Sequence, residues 1–172
     1  MQKRIAVWIA MMLGGIIGGL WIDWQRFRPL LLNPVFHIIS LILGVLLLQG
    51  VRTSSANTGR MLARMGKEGD DVPRFETNKL VKSGVYRCMR HPMHLGLLFF
   101  PLAIALIIGS PAFIFFIAPV EMLLMIVMIK FIEEPEAIAK FGDEYRAYQQ
   151  QTPMFNFSLN CLKQLLGLNS NG

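Results

Sequence analysis

Four nearly unbroken apolar stretches divide the chain: roughly Ile5 to Ile22, Val35 to Val51, His94 to Gly109 and Ala112 to Ile132. About 20 apolar residues in a helix match the roughly 30 Å hydrocarbon core of a bilayer, so each stretch is read as a membrane span. The third is the short one. It starts near Pro92, and Gly109-Ser110-Pro111 turns it directly into the fourth, which predicts a tight antiparallel hairpin. The expected fold is all-α: a polytopic membrane protein of about four transmembrane helices, with a C-terminal helical hairpin and cytoplasmic helices. Residues 1–172 are read as one integral-membrane domain, with generic spans over 1–51 and the chemistry over 75–155.

The polar segments carry their own patterns. From Arg52 to Tyr86 the chain is polar, with a helical extension expected through Arg60, Met61, Leu62 and Arg64. A Gly-Asp-Asp-Val-Pro break near residue 70 and an extended segment from Phe75 to Val81 follow. After the fourth span, Glu133-Glu134-Pro135-Glu136 is expected to open a new amphipathic helix running through Phe141 and Tyr145 toward Gln151. Leu159, Leu162, Leu165 and Leu166 have the spacing of an interfacial helix. In span one, Gly14, Gly15, Gly18 and Gly19 form two overlapping small-xxx-small patterns, read as bundle packing or dimerisation. Glu121, two residues after Pro119 near the middle of span four, has two readings: a functional group, or a neutral acid hydrogen-bonded to another span.

Composition supports the membrane reading. Hydrophobic residues make up 53% of the chain and charged residues 16%, outside the usual range for a soluble domain. Lys3 and Arg4 ahead of an apolar stretch also suit a signal peptide. No small-residue cleavage pattern follows Trp21-Ile22-Asp23-Trp24, so the first span is read as uncleaved. A net charge of +6 raises the question of nucleic acid. With four spans, however, every Lys and Arg except Arg26 and Arg28 falls on the face that also holds both termini. The positive-inside rule makes that face cytoplasmic, so the charge reflects topology and no nucleic-acid partner is expected. Both cysteines, Cys88 and Cys161, lie on this face, where thiols stay reduced, so no structural disulfide is expected.

The densest chemistry is GVYRCMRHPMHLG, residues 84–96, which crowds Tyr86, Arg87, Arg90, His91 and His94 against the start of span three. The hairpin brings these to the level of Glu133 and Glu134 at the end of span four, with Tyr145, Arg146 and Tyr148 beyond. Carboxylates suit an ammonium, arginines a carboxylate and aromatic faces an onium centre, so this mouth fits a zwitterionic or cationic ligand. Each group taken singly also has a plainer use, as a headgroup anchor or a complement to a helix dipole. Cys88, His91 and His94 lack zinc-site spacing, Pro92 interrupts them, and no second ligand pair follows; no metal is expected.

Two blocks resemble the integral-membrane methyltransferases that include isoprenylcysteine carboxyl methyltransferase and the related phospholipid methyltransferases. LVKSGVYRCMRHPMHLG, residues 80–96, is similar to the family's block ending in Arg-His-Pro-x-Tyr-x-Gly. EEPEAIAKFGDEYRAYQQQTPMF, residues 133–155, is similar to its Glu-Glu, Phe-Gly-x-Glu-Tyr and Pro-x-Phe pattern. The resemblance implies an enzyme that uses S-adenosylmethionine on the cytosolic side, with a lipid-like acceptor entering from the membrane. Carried over by position, it implies that Lys79, Leu80, Val81, Tyr86, His91, Pro92, Met93, His94 and Glu133 bind the cofactor. Arg90 and Glu134 would be catalytic, and Lys130 and Arg146 would meet the substrate. Two positions depart from the pattern: His94 stands where the family has Tyr, and Lys130 is the only basic residue just before Glu133, where the carboxyl methyltransferases carry Arg.

An isoprenylcysteine-type carboxylate is the first expectation for the acceptor and a phospholipid amine the second. A carboxylate is already ionised, whereas an amine must lose a proton and needs a base such as His94 or Glu134. A non-catalytic scaffold or assembly subunit is the alternative of another class. A membrane reductase with a nicotinamide cofactor is a third, for which the chain is short.

Overall fold

The computed structural model describes residues 2–69 and 77–168. It is all-α, with no strand among the described residues: α1 (Gln2–Arg26), α2 (Arg28–Leu31), α3 (Pro34–Met65), α4 (Val85–Cys88), α5 (Pro92–Leu98), α6 (Phe100–Ile108), α7 (Ala118–Met128), α8 (Glu134–Phe141), α9 (Asp143–Gln151) and α10 (Leu159–Leu165). Among the described residues, three helices are long and apolar enough to cross a membrane: Arg4–Arg26, Pro34–Met65 and Phe113–Phe141. The third predicted span is shorter, Pro92–Ile108, and is broken at Phe99 between α5 and α6. Pro101 accounts for the break, since its ring displaces the carbonyl four residues back and it donates no hydrogen bond.

The chain forms two compact units, each drawn from two stretches: Met1–Gln49 with Leu98–Val127, and Gly50–Leu97 with Met128–Gly172. In the first unit, glycine lets helices touch. A Cβ on Gly15 would sit 3.0 Å from Glu121 Oε1 and from the Phe113 ring, and one on Gly19 would sit 2.8 Å from Ser110 Oγ. Gly14 and Gly18 meet nothing within 4 Å, so only one of the two small-residue patterns packs inside the unit. Phe113, Ala105 and Ala118 form the core, with Met12, Ile16 and Leu102 against them. Many outward residues of this unit are large and apolar, including Ile17, Trp21, Leu46 and Leu123, as a lipid-facing surface requires.

The span hairpin is held by a residue that the apolar pattern hides. Asp23 is fully buried; its carboxylate accepts from Ser110 Oγ and from the Ala112 N–H at 2.7 Å. Gly109 takes φ +70 to end α6, and the next helix opens with Ala112 N–H donating to Asp23 and Phe113 N–H donating to Ser110 Oγ at 3.2 Å. Glu121, also buried, meets α1 at Gly15, and its Oε2 has no hydrogen-bond partner among the described residues.

The last long helix differs from its expectation. No new helix opens at Glu133: Phe113–Phe141 is continuous, with π turns at Phe113–Ile117 and Ile129–Glu133. Each π turn ends two residues before a proline, Pro119 or Pro135, and contains the carbonyl which that proline would otherwise strike, that of Phe115 or Phe131. The expected single helix to Gln151 is instead split at Gly142, whose φ of +58 ends α8 and starts α9.

In the second unit the extension of α3 past Arg60 is present, to Met65. Residues 77–81 are irregular, not extended in a sheet; Asn78 N and Lys79 N both donate to Gly66 O, at 2.9 and 3.2 Å. The expected break at 70–73 and the start of the extended segment at 75–76 lie outside the described residues. The expectation that both thiols stay free is corrected: Cys88 and Cys161 form a disulfide, with Cα atoms 5.9 Å apart. Charge and compartment gave no hint of it, because the pairing follows from α10 packing on α4.

Candidate functional site

Within the second unit, three short elements meet: the turn from Val85 to His91, the start of α5, and the junction of the last long helix with α9. The turn is stitched to the chain beyond α9 by backbone bonds, Arg90 N to Pro153 O at 2.9 Å and His91 N to Met154 O at 3.2 Å. Tyr148 reinforces the seam, donating from its hydroxyl to Tyr86 O, with Met89 O at 3.4 Å. The residues of α9 that face inward, Tyr145, Tyr148 and Gln149, with Thr152 one turn later, lie on one helical stripe.

Arg90 and Glu134 form the inner core of the site. Their side chains are 9% and 8% exposed. Arg90 Nε donates to Glu134 Oε1 at 2.9 Å, Nη2 donates to the same oxygen, and Nη1 reaches the carbonyls of Gln149, at 3.2 Å, and Thr152. Gln149 Nε2 donates to the other carboxylate oxygen at 2.9 Å. A buried ion pair is tolerated when its remaining donors and acceptors are filled, and here they are. Neither group is left free to bind a ligand; their effect is to fix the turn.

Around this core lie the imidazoles. His91 Nε2 is 3.5 Å from Glu134 Oε1 and 3.3 Å from the Tyr145 hydroxyl. Its pKa is lowered to about 4, chiefly by burial and then by His94, against the opposing pull of Glu134. Burial likewise raises the Tyr86, Tyr145 and Tyr148 hydroxyls above the ordinary tyrosine range. His94 stacks edge-on to His91 with ring centres 5.4 Å apart, and its Nε2 lies 4.0 Å from Glu133 Oε2. His94 and Glu133 are 24% and 27% exposed, so this outer pair is the part of the cluster that a ligand can reach. Tyr86 adds a third group: it is buried, yet its hydroxyl has no hydrogen-bond partner among the described residues.

The structure thus brings together Tyr86, Arg90, His91, His94, Glu133 and Glu134, with Pro92 and Met93 opening α5 between them. It does not bring in Lys130 or Arg146. Lys130 is exposed over the Phe131 ring, 5.9 Å from its centre, and Arg146 pairs with Asp143 at 3.5 Å on an open surface. Lys79, Leu80 and Val81 line a separate cleft with Arg64 and Lys67. Gln149 was missed by sequence reasoning. It sits in a run of three glutamines, and its signal is the spacing of four from Tyr145, which puts it on the inward stripe. Among the described residues no group of three or more His, Cys, Asp or Glu is placed to hold a metal ion.

A family model described as phospholipid methyltransferase matches residues 39–144. The chain is also similar to the protein-S-isoprenylcysteine O-methyltransferase of Schizosaccharomyces pombe, with 27% identity over 166 residues. That alignment covers 86% of this chain and 65% of the relative, so the chain spans just under two thirds of that protein's length. No solved structure matches it. The family match takes in more than half of the chain, from the second span through Glu133, Glu134 and the start of α9. The chain, an all-α membrane protein, belongs to the phospholipid methyltransferase family.

Proposed function

We propose that this chain transfers a methyl group from S-adenosylmethionine to a lipid-like acceptor, with an isoprenylcysteine-type carboxylate as the first choice. The observation that carries this reading is the reachable outer pair, His94 and Glu133, next to a turn that Arg90 and Glu134 lock and that also holds Tyr86, whose buried hydroxyl has no hydrogen-bond partner among the described residues. Glu133 suits the ammonium of the cofactor, and Tyr86 and His94 offer hydrogen bonds to its polar atoms. His91, Pro92 and Met93 complete that wall; Lys79, Leu80 and Val81 are assigned to the cofactor through the family pattern alone, since they line the cleft with Arg64 and Lys67. When bound, the cofactor supplies a methyl group activated on a sulfonium.

The protein needs no nucleophile of its own. Its residues hold the reactants in line and keep water out, and alignment alone supplies on the order of 7–11 kcal/mol. Arg90 and Glu134 act by holding the turn in place, and Gln149 and Tyr145 steady Glu134 and His91. By the charge asymmetry of the loops, the site and both termini face the cytoplasm.

Calorimetry with S-adenosylmethionine on detergent-solubilised protein tests the reading. Glu133→Gln is expected to weaken binding by about 1.5–3 kcal/mol, the range for a hydrogen bond to a charged group. A folded wild-type sample that does not bind the cofactor would overturn the enzyme assignment. A phospholipid amine is the second reading, favoured by His94 at 4.0 Å from Glu133, an imidazole placed to take the proton that an amine must lose. Assays with labelled cofactor and each acceptor separate the two.

A further inference from the structure

The short helix α10 is apolar on two sides and polar on the third. Cys161 and Leu165, 5% and 4% exposed, turn inward, and Cys161 is bonded to Cys88 of α4. Asn160, Lys163 and Gln164 form an exposed polar face. Beside the inward face runs a strip of Leu159, Leu162 and, at the helix end, Leu166, spaced three and four apart and therefore aligned. Leu159 is 75% exposed, and the residues flanking the helix add Phe157 at 61% and Leu168 at 68%. Leu165, which spacing alone groups with the other three leucines, belongs to the inward face.

The contact of α10 with α3 fixes its height. Asn57 of α3 donates from Nδ2 to Leu165 O at 3.3 Å, and a Cβ on Gly167 would sit 2.6 Å from the same nitrogen. Asn57 lies six residues past Val51, where the apolar run ends, or about 9 Å at 1.5 Å per residue. Counted from Val35, where that run begins, a hydrocarbon core of about 30 Å ends about 20 residues on, which leaves Asn57 about 5 Å beyond it. The head-group layer on one side of a bilayer is about 5–8 Å deep, so α10 meets α3 within that layer or at its outer edge. We propose that Leu159, Leu162 and Leu166, with Phe157 and Leu168, enter the leaflet that α3 crosses, at the boundary of head groups and acyl chains. A helix lying in the interface sinks its apolar face about 5–10 Å into that boundary, a depth within reach from the height of Asn57. Burial of apolar surface drives the contact, so it needs no particular head group. These five side chains are too few for a stable contact with a second protein, which takes roughly 20–30 residues a side. The proposal does not rest on the methyl-transfer reading, since residues 157–168 hold none of the groups assigned to cofactor or acceptor.

The test places a nitroxide label at Leu159→Cys, Leu166→Cys or Asn160→Cys, one at a time, in the full chain in phosphatidylcholine nanodiscs. Relaxation of the label by oxygen, which partitions into lipid, is compared with relaxation by a water-soluble nickel complex. The wild-type chain, whose two cysteines are paired, serves as the unlabelled control. The oxygen-to-nickel ratio is expected to be severalfold higher at Leu159 and Leu166 than at Asn160 on the polar face. Equal ratios at Leu159 and Asn160 would overturn the proposal. So would spin–spin broadening at Leu159 that disappears on dilution with unlabelled chain, because a second copy would then occupy the strip. A measurement on the unmodified chain guards against a variant that fails to fold. Phosphatidylcholine carrying a diazirine near its glycerol backbone should, on illumination, label residues 157–168 as well as α3. Label on α3 with none on residues 157–168 would place the strip in water and sink the idea.

Discussion

Each of the two units buries a carboxylate that its fold depends on, and the two are satisfied by different chemistry. Asp23, in the first unit, is held by neutral donors, a serine hydroxyl and a backbone N–H at the start of a helix. Glu134, in the second, is held by a guanidinium and a side-chain amide. The neutral donors make Asp23 a latch for the turn between two apolar helices, where no further charge is brought into lipid. The charged partner ties Glu134 to Arg90, and Arg90 in turn to the Gln149 and Thr152 carbonyls, so one interaction fixes three segments at once. A carboxylate that only has to close a turn is served by hydrogen bonds; one that has to lock a ligand-facing turn is served by an ion pair.

That contrast breaks most easily at Arg90. Arg90→Met leaves Glu134 charged and buried with only Gln149 and the His91 ring beside it, and the expected loss is about 3–5 kcal/mol in unfolding free energy in detergent. Removing both charges, in Arg90→Met with Glu134→Met, should recover much of that loss because no uncompensated charge remains. Cofactor affinity should stay low in the double variant, since the turn is no longer held. Single and double variants of equal stability would mean that the pair is not coupled.

Asp23 gives the smaller effect. Asp23→Ala leaves the Ser110 hydroxyl and the Ala112 N–H without their acceptor, at about 1–3 kcal/mol. Because Asp23 touches only residues of the first unit, the folded fraction should keep its affinity for S-adenosylmethionine. Loss of that affinity in folded Asp23→Ala protein would show that the two carboxylates do not have separable roles.

The difference between the units also explains what the sequence revealed. Three of the four apolar spans, the turn at Gly109 and the meeting of the two histidines with Glu133 and Glu134 follow from run length and hairpin topology and are present in the structure, whereas the third span is shorter and broken at Phe99. Asp23 passed unnoticed because a single acid among tryptophans and isoleucine reads as the end of a span, and its partners lie 87 and 89 residues away. The continuous helix through Glu133 was concealed by Pro135, which reads as a helix start unless a π turn precedes it. The Cys88–Cys161 bond spans 73 residues and depends on a packing of α4 on α10 that no local pattern encodes. Nothing in the sequence separated Arg90 and Glu134, which are locked away, from His94 and Glu133, which are reachable; that distinction is one of burial.

His91 gives the smallest and most selective test of the second unit. Its pKa in the folded protein is held down to about 4, against about 6.5 for a free imidazole. The fold therefore favours the neutral ring, and between these two values the unfolded chain takes up a proton that the folded chain refuses. Stability from this source is complete above about pH 6.5 and is lost as the pH falls toward 4. From pH 7.5 to 5.5 the expected loss is about 1 kcal/mol, visible as a lower melting temperature. His91→Asn should flatten that part of the profile, because asparagine takes up no proton over this range in either state. The Asp23→Ala protein should keep the full slope, since its lesion lies in the other unit. An equal slope in wild type and His91→Asn would assign the titration to another group and leave His91 as a packing residue beside Tyr145.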